Sequence, residues 1–323
     1  MTMKSLSKVR VTSLSLLVAV VTATTAQAAS LPAEITIPGE RIFPESLTST
    51  ADGSVIIGSV GARTIFRAKP GSATAEAWIQ PGTDGMNGIF GVLADNKSKT
   101  LWACSNLLGP PGAAPPTPSA LYAFDLKTGA PKGHYQLPTP GGMCNDIAVG
   151  PDGAAYATDT ANMEVVRLAK GGKQLEVWAG SGAFGPKGGV LDGIAFVGKN
   201  LIVSTLVTSK VFSIPVVSGG KAGAITELTL DRPLERPDAL RAFGKNSVLL
   251  TETGAGGRLA RITFGKDTNK VTTLKEGFPD GPVSVAVVGK TAYVLEGQLS
   301  AMRAPGSPPT KPFRATAVEV GKP

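Results

Sequence analysis

Short apolar runs alternate with polar residues along most of this chain, and each run is bounded by Gly, Pro, Asn or Asp. A period of two places successive side chains on opposite faces of an extended strand, so the pattern predicts short β-strands. The stretch Cys144–Asp159 gives the basic unit. Three residues, Cys144-Asn145-Asp146, precede a run from Ile147 to Val149. The turn Pro151-Asp152-Gly153 follows, and a second run ends in Thr158-Asp159. Asp-Gly between two alternating runs predicts a hairpin, because glycine accepts the positive φ of a tight turn. No long stretch carries a helical apolar period, so the expected class is all-β.

The unit recurs. Related segments begin at Pro44, Met86, Cys144, Leu191, Pro237 and Pro282. Aligned on their first strands, their second positions are Glu45, Asn87, Asn145, Asp192, Asp238 and Val283, separated by 42, 58, 47, 46 and 45 residues by subtraction of residue numbers. A period in the forties with about four strands per unit predicts a β-propeller, here six-bladed with a central channel. Third strands are expected at Thr64–Ala68, Leu121–Asp125, Val165–Leu168, Val211–Pro215 and Leu259–Phe264. The early Glu34–Ile37 run is placed to join the last blade and close the ring, removing an exposed edge. Blade 2 is lengthened by Leu107–Ser119, rich in Gly and Pro, which reads equally as a surface loop or as a lid over one channel mouth.

The N-terminus departs from this pattern. Lys4, Lys8 and Arg10 precede the apolar run Leu14–Val21 and the small-residue site Ala26-Gln27-Ala28. Residues 1–28 therefore read as a secretory signal peptide, followed by one propeller domain over residues 29–323 in a periplasmic or secreted protein without a membrane anchor. Removing that segment lowers the formal charge from +8 by three, to +5. The remaining cations are scattered rather than clustered, so nucleic acid is not an expected partner, and a monomer acting on a small-molecule substrate is expected. In an oxidising compartment Cys104 and Cys144 either pair or stay as two buried thiols. The single histidine, His134, excludes His-rich zinc sites and reads as a surface-loop residue without an orienting partner.

The first strand of each blade lines a propeller's channel, so the six second positions predict a ring at one mouth. Five of the six are oxygen donors and three are carboxylates. Carboxylates sharing a channel raise one another's pKa unless a cation sits between them. All-oxygen donors suit Ca²⁺, which accepts about 6–8 of them, better than Mg²⁺ or Zn²⁺. Taken singly, each of these residues is also an ordinary turn cap.

The six repeats, with Glu in blade 1, Asn in blade 3 and Asp in blade 5, resemble the senescence marker protein, gluconolactonase and luciferin-regenerating enzyme family. They are similar, more distantly, to paraoxonases and diisopropyl fluorophosphatase. The resemblance covers essentially all of residues 29–323. It implies a divalent metal, usually Ca²⁺, and hydrolysis of lactones or related esters. It implies Glu45, Asn145, Asp192 and Asp238 as metal ligands, Asp238 also as general base or nucleophile, and Asn87 as a contact of substrate or water. Three features depart from the family: Pro44-Glu45-Ser46 replaces its Glu-Gly-Pro, Asp192 its usual Asn, and Met143 the arginine of sugar lactonases. The last shifts the expected substrate toward a more apolar lactone or ester. A metal-free, strictosidine-synthase-like propeller and a non-catalytic binding or scaffold propeller are the competing expectations.

Overall fold

The structure is a computed structural model that describes Met1 and residues 31–108, 118–180, 182–254, 256–303 and 312–323. The predicted signal segment and most of the blade 2 insertion lie outside the described residues. Residues Leu31–Pro323 form one compact unit.

Six antiparallel sheets make six blades. The first strand of the chain is β1 (Glu34–Ile37). Blade 1 holds β2 (Pro44–Ser49), β3 (Val55–Ser59), β4 (Ile65–Ala68) and β5 (Glu76–Ile79). Blade 2 holds β6 (Gly88–Asp95), β7 (Thr100–Asn106), β8 (Ala120–Asp125) and β9 (Pro131–Gln136). Blade 3 holds β10 (Cys144–Val149), β11 (Ala155–Asp159), β12 (Glu164–Leu168) and β13 (Glu176–Ala179). Blade 4 holds β14 (Leu191–Val197), β15 (Asn200–Thr205), β16 (Val211–Val217) and the short β17 (Lys221–Ala222) and β18 (Thr226–Glu227). Blade 5 holds β19 (Pro237–Ala242), β20 (Ser247–Glu252), β21 (Arg258–Phe264) and β22 (Asn269–Glu276). Blade 6 holds β23 (Pro282–Val288), β24 (Thr291–Glu296) and β25 (Phe313–Glu319), and β1 pairs with β25 as its fourth strand. The ring closes as the sequence predicts, by a strand from the start of the domain.

The hairpins form where Asp-Gly predicted them, with Gly53 at φ 86° and Gly153 at φ 81°. Neighbouring blades pack through apolar faces. Phe43, Leu47, Tyr293 and Phe313 join blades 1 and 6, and Tyr156, Val165, Leu191 and Val203 join blades 3 and 4. Blade 2 is cross-linked to blade 3 by a Cys104–Cys144 disulfide, with Cα atoms 5.2 Å apart.

His134 departs from expectation. It lies on β9 rather than in a loop, because the Lys-Gly-His-Tyr segment completes blade 2 beside β8. It also has a partner: its Nδ1 lies 3.0 Å from Asp84 Oδ2, and its ring stacks on Tyr122.

Candidate functional site

Every inner strand breaks register at the same place. In β10 the shift falls between Cys144 and Ile147, in β14 between Leu191 and Ile194, and in β19 between Pro237 and Leu240. Strands β2, β6 and β23 shift at Pro44/Ser46, Ile89/Val92 and Pro282/Ser284. A bulge inserts one unpaired residue and re-aims side chains. Six of them in register turn the residues that follow Pro44, Ile89, Cys144, Leu191, Pro237 and Pro282 toward the channel mouth. Buried polar residues at the matching end of the second strands hold the loops that feed these bulges. Asp159 Oδ1 accepts from Met143 N, Glu252 Oε1 from Glu235 N, and Glu296 Oε2 from Asp280 N.

The register gives the ring as Glu45, Phe90, Asn145, Asp192, Asp238 and Val283. Glu45, Asn145, Asp192 and Asp238 therefore come together, and each is buried. Asn87 does not hold the equivalent position in blade 2. That position belongs to Phe90, because β6 is paired through Ile89 with Ser105 and through Val92 with Ala103. Asn87 stands three residues earlier, where its Nδ2 donates to Gly85 O and its backbone N–H donates to Ser105 Oγ.

The blades approach very closely at the bulges. A Cβ on Gly193 would collide with Asp238 O, and one on Gly91 with Asn145 O. Only glycine lets the neighbouring backbone in so far. The polypeptide is also bent immediately before the carboxylates. Phe43, Val190 and Arg236, which precede the inner strands of blades 1, 4 and 5, all have positive φ, at 42°, 60° and 55°. Left-handed backbone is costly for a β-branched residue such as Val190 and is held only where surrounding packing enforces it.

Two further charges lie in the channel. Asp146 follows Asn145 within the bulge, and Arg241 lies three residues beyond Asp238 on β19. Arg241 Nη1 donates to Asp146 Oδ2 at 2.7 Å, and its Nη2 donates to Ser46 Oγ at 3.1 Å, so one side chain from blade 5 spans the channel to blades 3 and 1. The sequence carried a signal for both. Arg241 puts a charge at an inner-strand position where the other blades have Thr48, Leu93, Ala148, Ala195 and Ala286. Asp146 stands where they have Ser46, Gly91, Gly193, Ala239 and Ser284.

Four carboxylates thus face one cation in a buried space. Burial pushes Glu45 well above the ordinary carboxylate range, with Asp192 and Asp146 adding to the rise and Arg241 opposing it. Burial also raises Asp238, reinforced by Asp192, Glu45 and Asp146 and opposed by Arg236 at the rim. Asp192 rises to about 8, from burial and then from Asp146, against a hydrogen bond from Asn145. Asn145 Nδ2 donates to Asp192 Oδ1 at 3.0 Å and to Thr160 Oγ1 at 3.0 Å, which leaves its Oδ1 buried without a partner.

An unpartnered amide oxygen beside mutually repelling carboxylates is the donor set of a hard cation, so the chemistry of the ring fits a divalent metal. As the side chains stand, no group of three or more His, Cys, Asp or Glu among the described residues is arranged to hold one.

The fold and the site together define a six-bladed β-propeller with an acidic channel mouth. No protein-family profile matches the chain, and no curated protein matches it. Solved structures do match. The Malassezia sympodialis allergen Mala s 1 superposes with a TM-score of 0.70 at 14% identity, over 90% of this chain and 97% of that one. A Xanthomonas campestris gluconolactonase gives 0.60 at 15% identity, over 92% and 93%. A calcium-binding regucalcin from Agrobacterium tumefaciens gives 0.59 at 14% identity, over 90% and 97%. A Staphylococcus aureus virginiamycin B lyase and a PQQ-bound aldose sugar dehydrogenase from Streptomyces coelicolor also match, at TM-scores of 0.57 and 0.60, so the fold alone does not select a reaction.

Proposed function

We propose that this protein is an exported hydrolase that uses a divalent cation, Ca²⁺ by preference, to open a lactone or cleave a related ester. The observation that carries the reading is the convergence of Glu45, Asn145, Asp192 and Asp238 on one channel mouth, with three raised carboxylates and an unpartnered amide oxygen. Export is supported by the leader pattern of residues 1–28 and by the disulfide, a bond that persists in oxidising compartments. The gluconolactonase and the calcium-binding regucalcin among the structural neighbours support the substrate class and the ion.

In this reading Glu45, Asn145, Asp192 and Asp238 hold the cation, which when bound would supply Lewis-acid polarisation of the carbonyl. Asp238 is the base. Its carboxylate takes the proton from an attacking water as the water oxygen bonds to the carbonyl carbon. When the carbon–oxygen bond to the leaving alkoxide breaks, Asp238 returns the proton to that alkoxide. A base made more basic by its surroundings accepts a proton more readily once it is ionised. Burial of the ring excludes bulk water and strengthens every charge interaction within it. Asn87 is proposed as a contact for substrate held outside the ring, and Met143 and Phe90 give that approach an apolar character.

A second reading has an observation of its own. Arg241 already supplies the carboxylates with a built-in cation through its bridge to Asp146, which favours a metal-free binding propeller. A panel of lactones and aryl esters, assayed with and without chelator, separates the two. Hydrolysis that chelation abolishes and Ca²⁺ restores supports the hydrolase. No hydrolysis across the panel supports the alternative, and hydrolysis indifferent to chelation contradicts the role given to the cation.

A further inference from the structure

The channel has a second mouth, at the opposite ends of the inner strands, and it opens into a cavity of about 400 Å³. Its walls come from blades 2 to 5. Leu93, Ala148, Ala195 and Phe196 give it an apolar lining, and Arg241 forms part of its wall. The Arg241–Asp146 bridge lies between this cavity and the acidic ring. The ring occupies the N-terminal ends of the inner strands and the cavity their C-terminal halves.

Arg241 is nine-tenths buried, yet its hydrogen-bonding capacity is not used up. Nη1 donates to Asp146 Oδ2 and Leu240 O, Nη2 donates to Ser46 Oγ, and Nε–H has no partner. A guanidinium carries five N–H donors; the Nε–H is sealed within the wall, and one N–H on Nη2 remains without a protein acceptor. At the rim, the exposed Lys97 has no ion pair for its ammonium among the described residues. Asp95, the acid in the lining of this cavity, is turned into its own loop, where it accepts from Lys97 N and Ser98 Oγ. Two cations therefore border an apolar space whose size matches the lower end of the small-ligand range.

We propose that this second mouth is a binding site for a small amphipathic carboxylate, its apolar chain against Leu93, Ala195 and Phe196 and its carboxylate drawn to Arg241 and Lys97. The site shares Arg241 with the channel but does not rest on the hydrolytic reading.

The test is calorimetric titration of straight-chain carboxylates, butanoate to octanoate, into the purified protein, with 1-octanol as the uncharged control. Burying methylenes in this cavity should tighten binding about three- to fourfold per carbon. Octanoate should bind at one site per chain and at least tenfold more tightly than octanol. Ala195→Trp, which fills the cavity, should abolish octanoate binding while thermal melting confirms a folded chain. Lys97→Glu, an exposed change that leaves the core untouched, should weaken octanoate and leave octanol unaffected. Asp238→Asn at the other mouth should leave octanoate affinity unaltered. No octanoate binding by the unaltered protein, equal affinity for acid and alcohol, or unchanged binding in both Ala195→Trp and Lys97→Glu would overturn the proposal.

Discussion

Raising the pH in the absence of divalent cations should destabilise this propeller, and the magnitude follows from the ring. Asp192 titrates at about 8 in the folded chain and at an ordinary carboxylate value of 3.8 when unfolded. Between these values the folded state holds a proton that the unfolded state has released. For a carboxyl raised on folding, stability is complete below the unfolded pKa and is lost as pH rises through the folded one. The slope is about 1.4 kcal/mol per pH unit for one proton, so between pH 5 and pH 8 the loss from Asp192 alone is on the order of 4 kcal/mol. For a chain of this size that is roughly 10 °C in melting temperature. Glu45 and Asp238 are raised in the same direction and steepen the decline. The assay is a series of thermal melts in chelator across this range, repeated with excess Ca²⁺. Asp192→Asn, which can still accept from Asn145, should flatten the slope, and bound cation should suppress it by holding the carboxylates ionised. A melting temperature in chelator that stays level or rises from pH 5 to pH 8 would refute the account of the ring.

Three other outcomes are expected. Replacing Cys104 and Cys144 with alanine opens a loop of sequence separation 40 and should cost about 4 kcal/mol in the chain-entropy model, read as a lower denaturation midpoint under non-reducing conditions. Arg241→Met leaves Asp146 buried without its cation and should destabilise by about 3–5 kcal/mol, whereas Arg241→Met with Asp146→Leu should recover most of the loss in urea melts. Gly193→Ala places a Cβ against Asp238 O and should cost about 1–3 kcal/mol. It should also lower hydrolytic turnover by displacing β19, an effect visible at saturating substrate.

Much of the fold was legible because a propeller repeats its own local signals. Asp-Gly turns and alternating strands recur at nearly equal spacing, so each blade confirms the next, and even the closing strand Glu34–Ile37 was readable as an unpaired run. The ring positions read from the repeats agree with the strand register in five blades and differ in blade 2. There Phe90 occupies the inner position, and Asn87 is only the nearest polar residue ahead of the strand. The uneven spacings of 42 and 58 residues carry the signal, since Phe90 makes them 45 and 55 by subtraction. Asp146 and Arg241 were missed for a different reason. Each breaks the repeat with a charge at its position, but a pairing between residues 95 apart in sequence is set by closure of the ring, which no single repeat shows. The cysteine pairing was equally beyond spacing arguments, because it depends on β7 and β10 lying side by side.

The central claim, that the acidic ring holds a cation and that Asp238 moves the proton, is tested most directly by one comparison. Bound Ca²⁺ and the turnover of the best panel substrate are measured on the same preparations of unaltered protein and Asp238→Asn. The substitution keeps the side chain's size and one coordinating oxygen but removes its charge and its basic lone pair. Ca²⁺ affinity should fall modestly, because Glu45 and Asp192 still supply carboxylates, and turnover at saturating Ca²⁺ should fall about 10²–10⁴-fold. Turnover at the unaltered rate with the ion bound would contradict the account.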